Sequence, residues 1–309
     1  NPEATSQLHN LPAVHDFSWL MDNKALTKGR LKFIKALQLA ILTVKLVWNA
    51  RRVRRGKCPL FLDRDERRFL LTLAGSDGLL IVGGGNINDI MVRGGLIART
   101  FTSYLAKLLS KPVFVGAQTV GPLNLPWTRA LAKKFLETAD VVTLREAFSA
   151  GVVKDIGVKQ ENLHVVLDDA FNIEPIAWKD AADLLVKEGV RLEELRSGGR
   201  KVIGLVPRAW WERDRKSMRL KEALEYIVRF LTSQGKYYVV FVSTSFNASA
   251  PGDDDAKTAL DIVRSIAGSE TKNYRILVGQ YDWRQLKAIL GLMDFTVGTS
   301  YHSIVFAVS

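Results

Sequence analysis

Two arginines and a histidine stand at the ends of short apolar runs, where a side chain can meet a small anion. Arg145 follows Val141-Val142-Thr143-Leu144 and precedes Glu146, with Ser149 one turn further on. Arg208 follows Val202-Ile203-Gly204-Leu205-Val206-Pro207. A guanidinium forks onto a carboxylate or phosphate through parallel N–H bonds, so either arginine suits an anionic substrate. A local ion pair is the plainer role for Arg145, because Glu146 is adjacent and Asp168-Asp169 closes the next apolar run. His302 lies in Gly298-Thr299-Ser300-Tyr301-His302-Ser303, among small and hydroxylated residues where a helix begins. A helix start offers backbone N–H groups to an anion, and an imidazole exchanges protons near neutral pH. His9, His15 and His164 lack such surroundings.

Three other segments add candidate contacts. Gly83-Gly84-Gly85-Asn86-Ile87-Asn88-Asp89 follows the apolar run Leu79-Leu80-Ile81-Val82. As a strand-to-helix turn it would let a ligand approach the backbone at Gly84, Gly85 and Asn86, or it is simply a tight turn. It is neither a dinucleotide fingerprint nor a phosphate loop of the Walker type. Gly116-Ala117-Gln118-Thr119-Val120-Gly121-Pro122 offers Gln118 as a polar contact before a turn. Trp210 and Trp211, beside Arg208, serve as a platform for a sugar or pack on the sheet. Ser300 and Tyr301 complete the set as neighbours of the histidine.

Elements that can hold these residues follow from the pattern. From Leu79 onward, short continuous apolar runs alternate with longer amphipathic ones, the signature of parallel sheets covered by helices. Strands are expected at 79–82, 113–115, 141–144, 165–167, 202–206, 238–242, 275–278 and 295–297. The alternation breaks between 172 and 200 and then resumes. The expected fold is α/β, with two Rossmann-like, doubly wound parallel-sheet domains facing a central cleft. The boundaries are 1–172 for the first domain, 173–200 for a linker and 201–309 for the second. Ligands of open parallel sheets bind outside the carboxyl ends of the strands, which is where every segment above falls.

Composition narrows the partners. The chain has 309 residues, 47% of them hydrophobic and 25% charged, as a globular protein requires. One cysteine, Cys58, and four scattered histidines provide for no disulfide and no conventional metal cluster. A formal charge of +12 calls for an anionic partner. The basic residues concentrate in Arg51, Arg52, Arg54, Arg55 and Lys57, directly after the apolar stretch 33–48. That stretch is a helix with a narrow polar stripe of Lys35, Gln38, Lys45, Asn49 and Arg52, suited to a packed core or to a membrane surface. The N-terminus shows no signal peptide, and both ends read as truncated. A cytoplasmic location is expected, with peripheral contact at the inner membrane face through the basic run.

In their order, these segments resemble the polysaccharide pyruvyl transferase family. The likeness runs through Gly83-Gly84-Gly85-Asn86, Gly121-Pro122, 139–146 with Ser149, Gly157-Val158 and Asp168-Asp169-Ala170-Phe171. It continues through Val206-Pro207-Arg208 with Trp210, Asp253-Asp254, and 298–307, spanning about residues 77–309. The resemblance implies a GT-B-like pair of domains and phosphoenolpyruvate as donor. It implies ketal formation on hydroxyls of a polysaccharide or of its lipid- or nucleotide-linked precursor, in cell-surface polysaccharide biosynthesis. By the same resemblance Arg145 and Arg208 hold the donor, His302 is the acid/base, and no metal or redox cofactor takes part. Ser300 stands where many relatives carry an arginine two residues before the histidine, so another cation must serve. The family's N-terminal Asn-x-Gly-Asp element is not visible. Two other readings stay open: a GT-B glycosyltransferase using a nucleotide sugar, and a non-catalytic protein bound to an anionic surface. No recognised nucleic-acid module is present.

Overall fold

The computed structural model describes residues 30–159, 161–208, 218–245, 254–266 and 273–309. The chain forms two compact units that divide between Asp168 and Asp169.

Among the described residues the first unit opens with helices α1 (Arg30–Arg54) and α2 (Arg64–Gly75). A capping box starts α2: the Asp63 carboxylate accepts from Glu66 N, and the Glu66 carboxylate accepts from Asp63 N. Strands β1 (Leu79–Ile81) and β2 (Gly84–Ile87) follow, then a π-helical turn at Val92–Ile97, helix α3 (Ala98–Leu108) and strand β3 (Val113–Val120). Helix α4 (Pro126–Thr138), strand β4 (Val141–Leu144), helix α5 (Ala147–Asp155) and strand β5 (Leu163–Val165) complete the unit. All pairings are parallel, in the order β1-β3-β4-β5, with β2 continuing β1 along the same edge of β3. The order advances without reversal among the described strands.

Helices α1 to α5 and one face of the sheet share a single core, which includes Leu46, Leu70, Leu105, Phe135, Val153, Val115 and Val142. The sequence pattern predicts helices on both faces. Instead, Leu80 and Phe114, paired across β1 and β3, point from the opposite face and stay 61% and 40% exposed. The run of glycines also differs from the expected turn. Gly84 and Ile87 pair with Gln118 and Val120, so the segment is a strand before it turns.

Of the polar stripe of α1, Lys45 and Asn49 turn toward the protein, whereas Gln38 is exposed. Lys45 Nζ lies 2.6 Å from Glu66 Oε2 of α2. Asn49 is fully buried, exchanging bonds of 3.0 and 2.8 Å with the backbone of Leu60. Arg52 donates to Cys58 O. Lys45 ties α1 to α2, and Asn49 and Arg52 tie it to the loop between them.

In the second unit, a 3-10 turn at Asp169–Asn172 leads to helices α6 (Trp178–Lys187) and α7 (Leu192–Ser197). Then come β6 (Lys201–Val206), α8 (Met218–Ser233), β7 (Tyr237–Phe241), α9 (Asp255–Ile266), β8 (Tyr274–Ile276), α10 (Trp283–Gly291), β9 (Phe295–Gly298) and α11 (Tyr301–Val308). The stretch read as a linker, 173–200, thus carries two helices, and Ala181, Leu185 and Leu192 enter the core of this unit.

The second sheet is parallel, in the order β8-β7-β6-β9. Side chains alternate between two cores. Val202, Val206, Val240 and Val242 meet α6, α10 and α11, whereas Leu205, Val239 and Phe241 meet α8 and α9. This division follows from right-handed crossovers. The steps from β6 to β7 to β8 run one way over one face, and the return to β9 runs over the other.

Candidate functional site

A reversal of strand order opens a crevice at the carboxyl ends of the two strands that flank it, here β6 and β9. Arg208 leaves β6 and Thr299 leaves β9. The Arg208 backbone N–H donates to Thr299 Oγ1 at 2.7 Å, and Thr299 N donates to Val206 O at 3.1 Å. The next residue, Ser300, is extended and precedes α11, but its side chain makes no capping bond. Ser300 Oγ is buried and finds no hydrogen-bond partner among the described residues. Gly298 must be glycine: a Cβ there would run into Ser303 Oγ and approach Ile304 Cδ1 to 3.2 Å. The strand thereby closes on the first turn of α11, where backbone amides lack intrahelical partners.

The charge in this crevice belongs to a pair. Arg208 Nε lies 3.0 Å from Asp255 Oδ1, and the Asp255 side chain is fully buried. Asp255 Oδ2 accepts from Thr244 N and Thr244 Oγ1, both at 2.9 Å, and from Ser245 N at 3.1 Å. Burial, the largest influence, raises the Asp255 carboxyl above the usual carboxylate range against the opposing pull of Arg208 and of the Thr244 and Ser245 donors. His302 is exposed on the first turn of α11, its ring edge-on to Tyr301 at 5.5 Å and 6.3 Å from Phe306. Arg208, Ser300, Tyr301 and His302 therefore come from adjacent strand ends of one sheet. Trp210 lies outside the described residues.

The remaining candidates belong to the carboxyl edge of the first sheet. Arg145 Nη1 lies 2.7 Å from Asp168 Oδ2, and Nε donates to Thr119 Oγ1 at 2.6 Å. Glu146 Oε2 is 3.4 Å from the same Nε. Arg145 and Asp168 are both nearly buried, so this arginine is embedded between two carboxylates. The Ser149 hydroxyl, bonded to Glu146, accepts from Val120 N at 2.8 Å. An alanine at Gly85 would place its Cβ 3.7 Å from Arg145 Nη2, which puts the glycine run beside the guanidinium. At Gly84 a Cβ would come within 2.8 Å of Asn86 Nδ2. Further along, Thr128 Oγ1 and Asn124 N donate to Asp89 at 2.6 Å each and hold its carboxyl below the usual range.

Gln118 is placed differently from the surface contact its sequence suggests. It is fully buried, and Nε2 donates to Val82 O at 2.6 Å, at the break between β1 and β2. Strict alternation from Val113 and Val115 points Gln118 away from the core. A register shift between Val115 and Gln118 turns it inward.

Asp255 is the principal residue that sequence reasoning passed over, because it belongs to a run of three aspartates in a polar loop. One signal was present: 255, 259, 262 and 266 share the buried stripe of α9. Among the described residues no cluster of three His, Cys, Asp or Glu side chains forms a cation site. A polar concavity of about 500 Å³, lined by Arg191, Glu194, Arg200 and Tyr238 among others, opens at the amino ends of β6 and β7, and none of the candidate site residues lines it.

A profile of the family described as polysaccharide pyruvyl transferase matches residues 5–309. Among solved structures, HepE of Anabaena in complex with UDP-glucose is similar at 12% identity, covering 74% of this chain and 54% of that one, with a TM-score of 0.46. The UDP-forming α,α-trehalose-phosphate synthase of Burkholderia vietnamiensis is similar at 14% identity, covering 84% and 65%, with a TM-score of 0.42. The chain spans about half to two thirds of the length of these two structures. The family profile runs through nearly the whole sequence, including both strand-end arginines and the histidine, and this chain belongs to the polysaccharide pyruvyl transferase family.

Proposed function

We propose that the crevice between β6 and β9 holds phosphoenolpyruvate and that the chain transfers its pyruvyl group, as a ketal, to two hydroxyls of a sugar. The observation that carries this reading is the union of Arg208 with the start of α11 through Thr299. It sets the Arg208 backbone beside a helix N-terminus whose Ser300 hydroxyl has no partner of its own among the described residues. Phosphate and carboxylate groups suit such a cradle, because cation, amides and hydroxyl all donate. Arg208, from the neighbouring strand end, supplies the positive charge that Ser300 does not. Arg145, paired with Asp168 and Glu146 as Arg208 is with Asp255, stands at the carboxyl edge of the first sheet.

The chemistry follows from the donor. A proton delivered to the methylene carbon leaves the adjacent carbon, which bears the phosphate oxygen, electron-deficient. A sugar hydroxyl adds there and gives up its proton, and the C–O bond to phosphate breaks. A second hydroxyl closes the ketal with loss of its own proton. His302 supplies the first proton as imidazolium and recovers one from an attacking hydroxyl. Arg208 and the amides of α11 stabilise the departing phosphate.

Titration calorimetry with phosphoenolpyruvate, with and without competing inorganic phosphate, tests the reading. Saturable binding that phosphate displaces is expected, weakened at least about tenfold in Arg208→Ala, the loss of one charge-assisted contact. His302→Ala is expected to bind the donor and release no phosphate in the presence of acceptor glycans. Binding of a nucleotide sugar with no response to phosphoenolpyruvate would return the chain to the glycosyltransferase reading.

A further inference from the structure

Helix α1 has two apolar faces, and the first unit covers one of them. Leu42, Leu46 and Ala50 enter the core, together with the inward-tied Asn49. On the far side Leu37, Ile41, Val44 and Trp48 form a continuous row, all exposed, with Val44 at 68%. Spacings of four, three and four residues keep them on one stripe. The loop after the helix extends the row with Phe61, which is 83% exposed and 6.5 Å from the Trp48 ring. Phe61 holds φ at 59°, a conformation costly for an aromatic residue, and the position keeps its ring out in solvent.

Cations follow the row. Residues 37–62 contain six Lys and Arg and no Asp or Glu. Arg51, Arg54, Arg55 and Lys57 are exposed at the end of α1. Arg52 packs its guanidinium 4.7 Å over Trp48. An aliphatic row edged by aromatic rings and ending in cations has the chemistry of a bilayer interface: acyl chains for the row, anionic headgroups for the arginines. Nucleic acid would satisfy the cations and leave the row in water. A second copy packed on this face would cover the row and offer the arginines no carboxylate from the same stretch, since residues 37–62 contain no Asp or Glu. Among the described residues no helix is long and apolar enough to cross a membrane, so the contact lies along the surface.

We propose that the outer face of α1, with Phe61, is a docking surface for a membrane carrying anionic phospholipid, on which the helix lies flat. This surface is independent of the donor assigned above.

Sedimentation of the purified chain with vesicles tests it, using phosphatidylcholine alone and phosphatidylcholine mixed with phosphatidylglycerol. Binding to the mixed vesicles is expected, at least about tenfold stronger than to phosphatidylcholine and weakened by salt. Both Ile41→Asn/Val44→Asn and Arg51→Ala/Arg54→Ala/Arg55→Ala are expected to lose most of that binding. Their circular dichroism and melting should match the parent, since every position changed is exposed. Absence of binding by the parent overturns the proposal. So does an apolar-row variant that binds as well as the parent, which would reduce the effect to charge alone. A dimer in light scattering that Ile41→Asn/Val44→Asn dissolves, with no vesicle binding, would assign the face to self-association instead.

Discussion

Arg208 and Asp255 form an ion pair, Nε to Oδ1 at 3.0 Å, between the end of β6 and the first residue of α9. The carboxylate is the more firmly held partner, since three donors from Thr244 and Ser245 fix its other oxygen. Asp255 thereby sets the direction of the guanidinium, which makes it a positioning residue for whatever anion Arg208 meets.

Asp255→Asn keeps an oxygen for the Thr244 and Ser245 amides and removes the charge opposite Arg208. The variant should fold and show a KM for phosphoenolpyruvate raised about tenfold, the scale of one misdirected charge-assisted bond, with a smaller change in kcat. Equal losses in KM and kcat together with a lowered melting temperature would mark a purely structural role.

The same carboxylate shapes stability against pH. Its folded pKa is raised, chiefly by burial, so the native state holds the proton more tightly than the unfolded chain. The contribution is therefore full below the unfolded value, about 3.9, and is lost as pH rises through the raised folded value. Denaturant midpoints of the parent should fall across that window relative to those of Asp255→Asn. Parallel curves for the two proteins would contradict the shift.

Gly298→Ala should cost about 1–3 kcal/mol, the range for forcing a methyl into packed space, and should abolish donor binding by displacing the start of α11. Gly151, inside α5, is the matched control, because an added Cβ there meets nothing within 4 Å. Gly151→Ala should stabilise the protein by about 0.5–1 kcal/mol. Thermal melts of both variants with and without phosphoenolpyruvate distinguish packing from binding.

Arg145→Ala should destabilise the first unit by about 3–5 kcal/mol, because it strands the nearly buried Asp168 charge. Arg145→Ala/Asp168→Ala should recover part of that loss. A denaturation cycle with strictly additive effects would show that the pair is uncoupled.

The strands were legible because continuous apolar runs such as 202–206 have few alternatives in a chain of this composition. Their order across the sheet was not. Nothing local says that Phe295 lies beside Ile203, and the crevice between Arg208 and Ser300 depends on that pairing. The glycine run at 83–85 concealed a strand, since glycine's weak strand preference is overridden by pairing with β3. On α1 the polar stripe was visible, but its direction was not. Polar residues usually mark the wet side of a helix, and here Lys45 and Asn49 find their partners in Glu66 and Leu60. Arg145 was found by its position after a strand. Its partner Asp168 was one of two adjacent carboxylates, and only the geometry shows which of them meets the guanidinium.

Strand β6 pairs with β7 on one side and β9 on the other, and from Val202 to Val206 every residue is buried. Amide hydrogens in such a segment exchange with deuterium only when the whole unit opens, whereas frayed ends and loops exchange by local excursions. Arg208 stands two residues beyond that slow stretch, so its cation is tied to the part of the second unit that opens last. Deuterium should therefore reach the amides of β6 at a rate set by global unfolding.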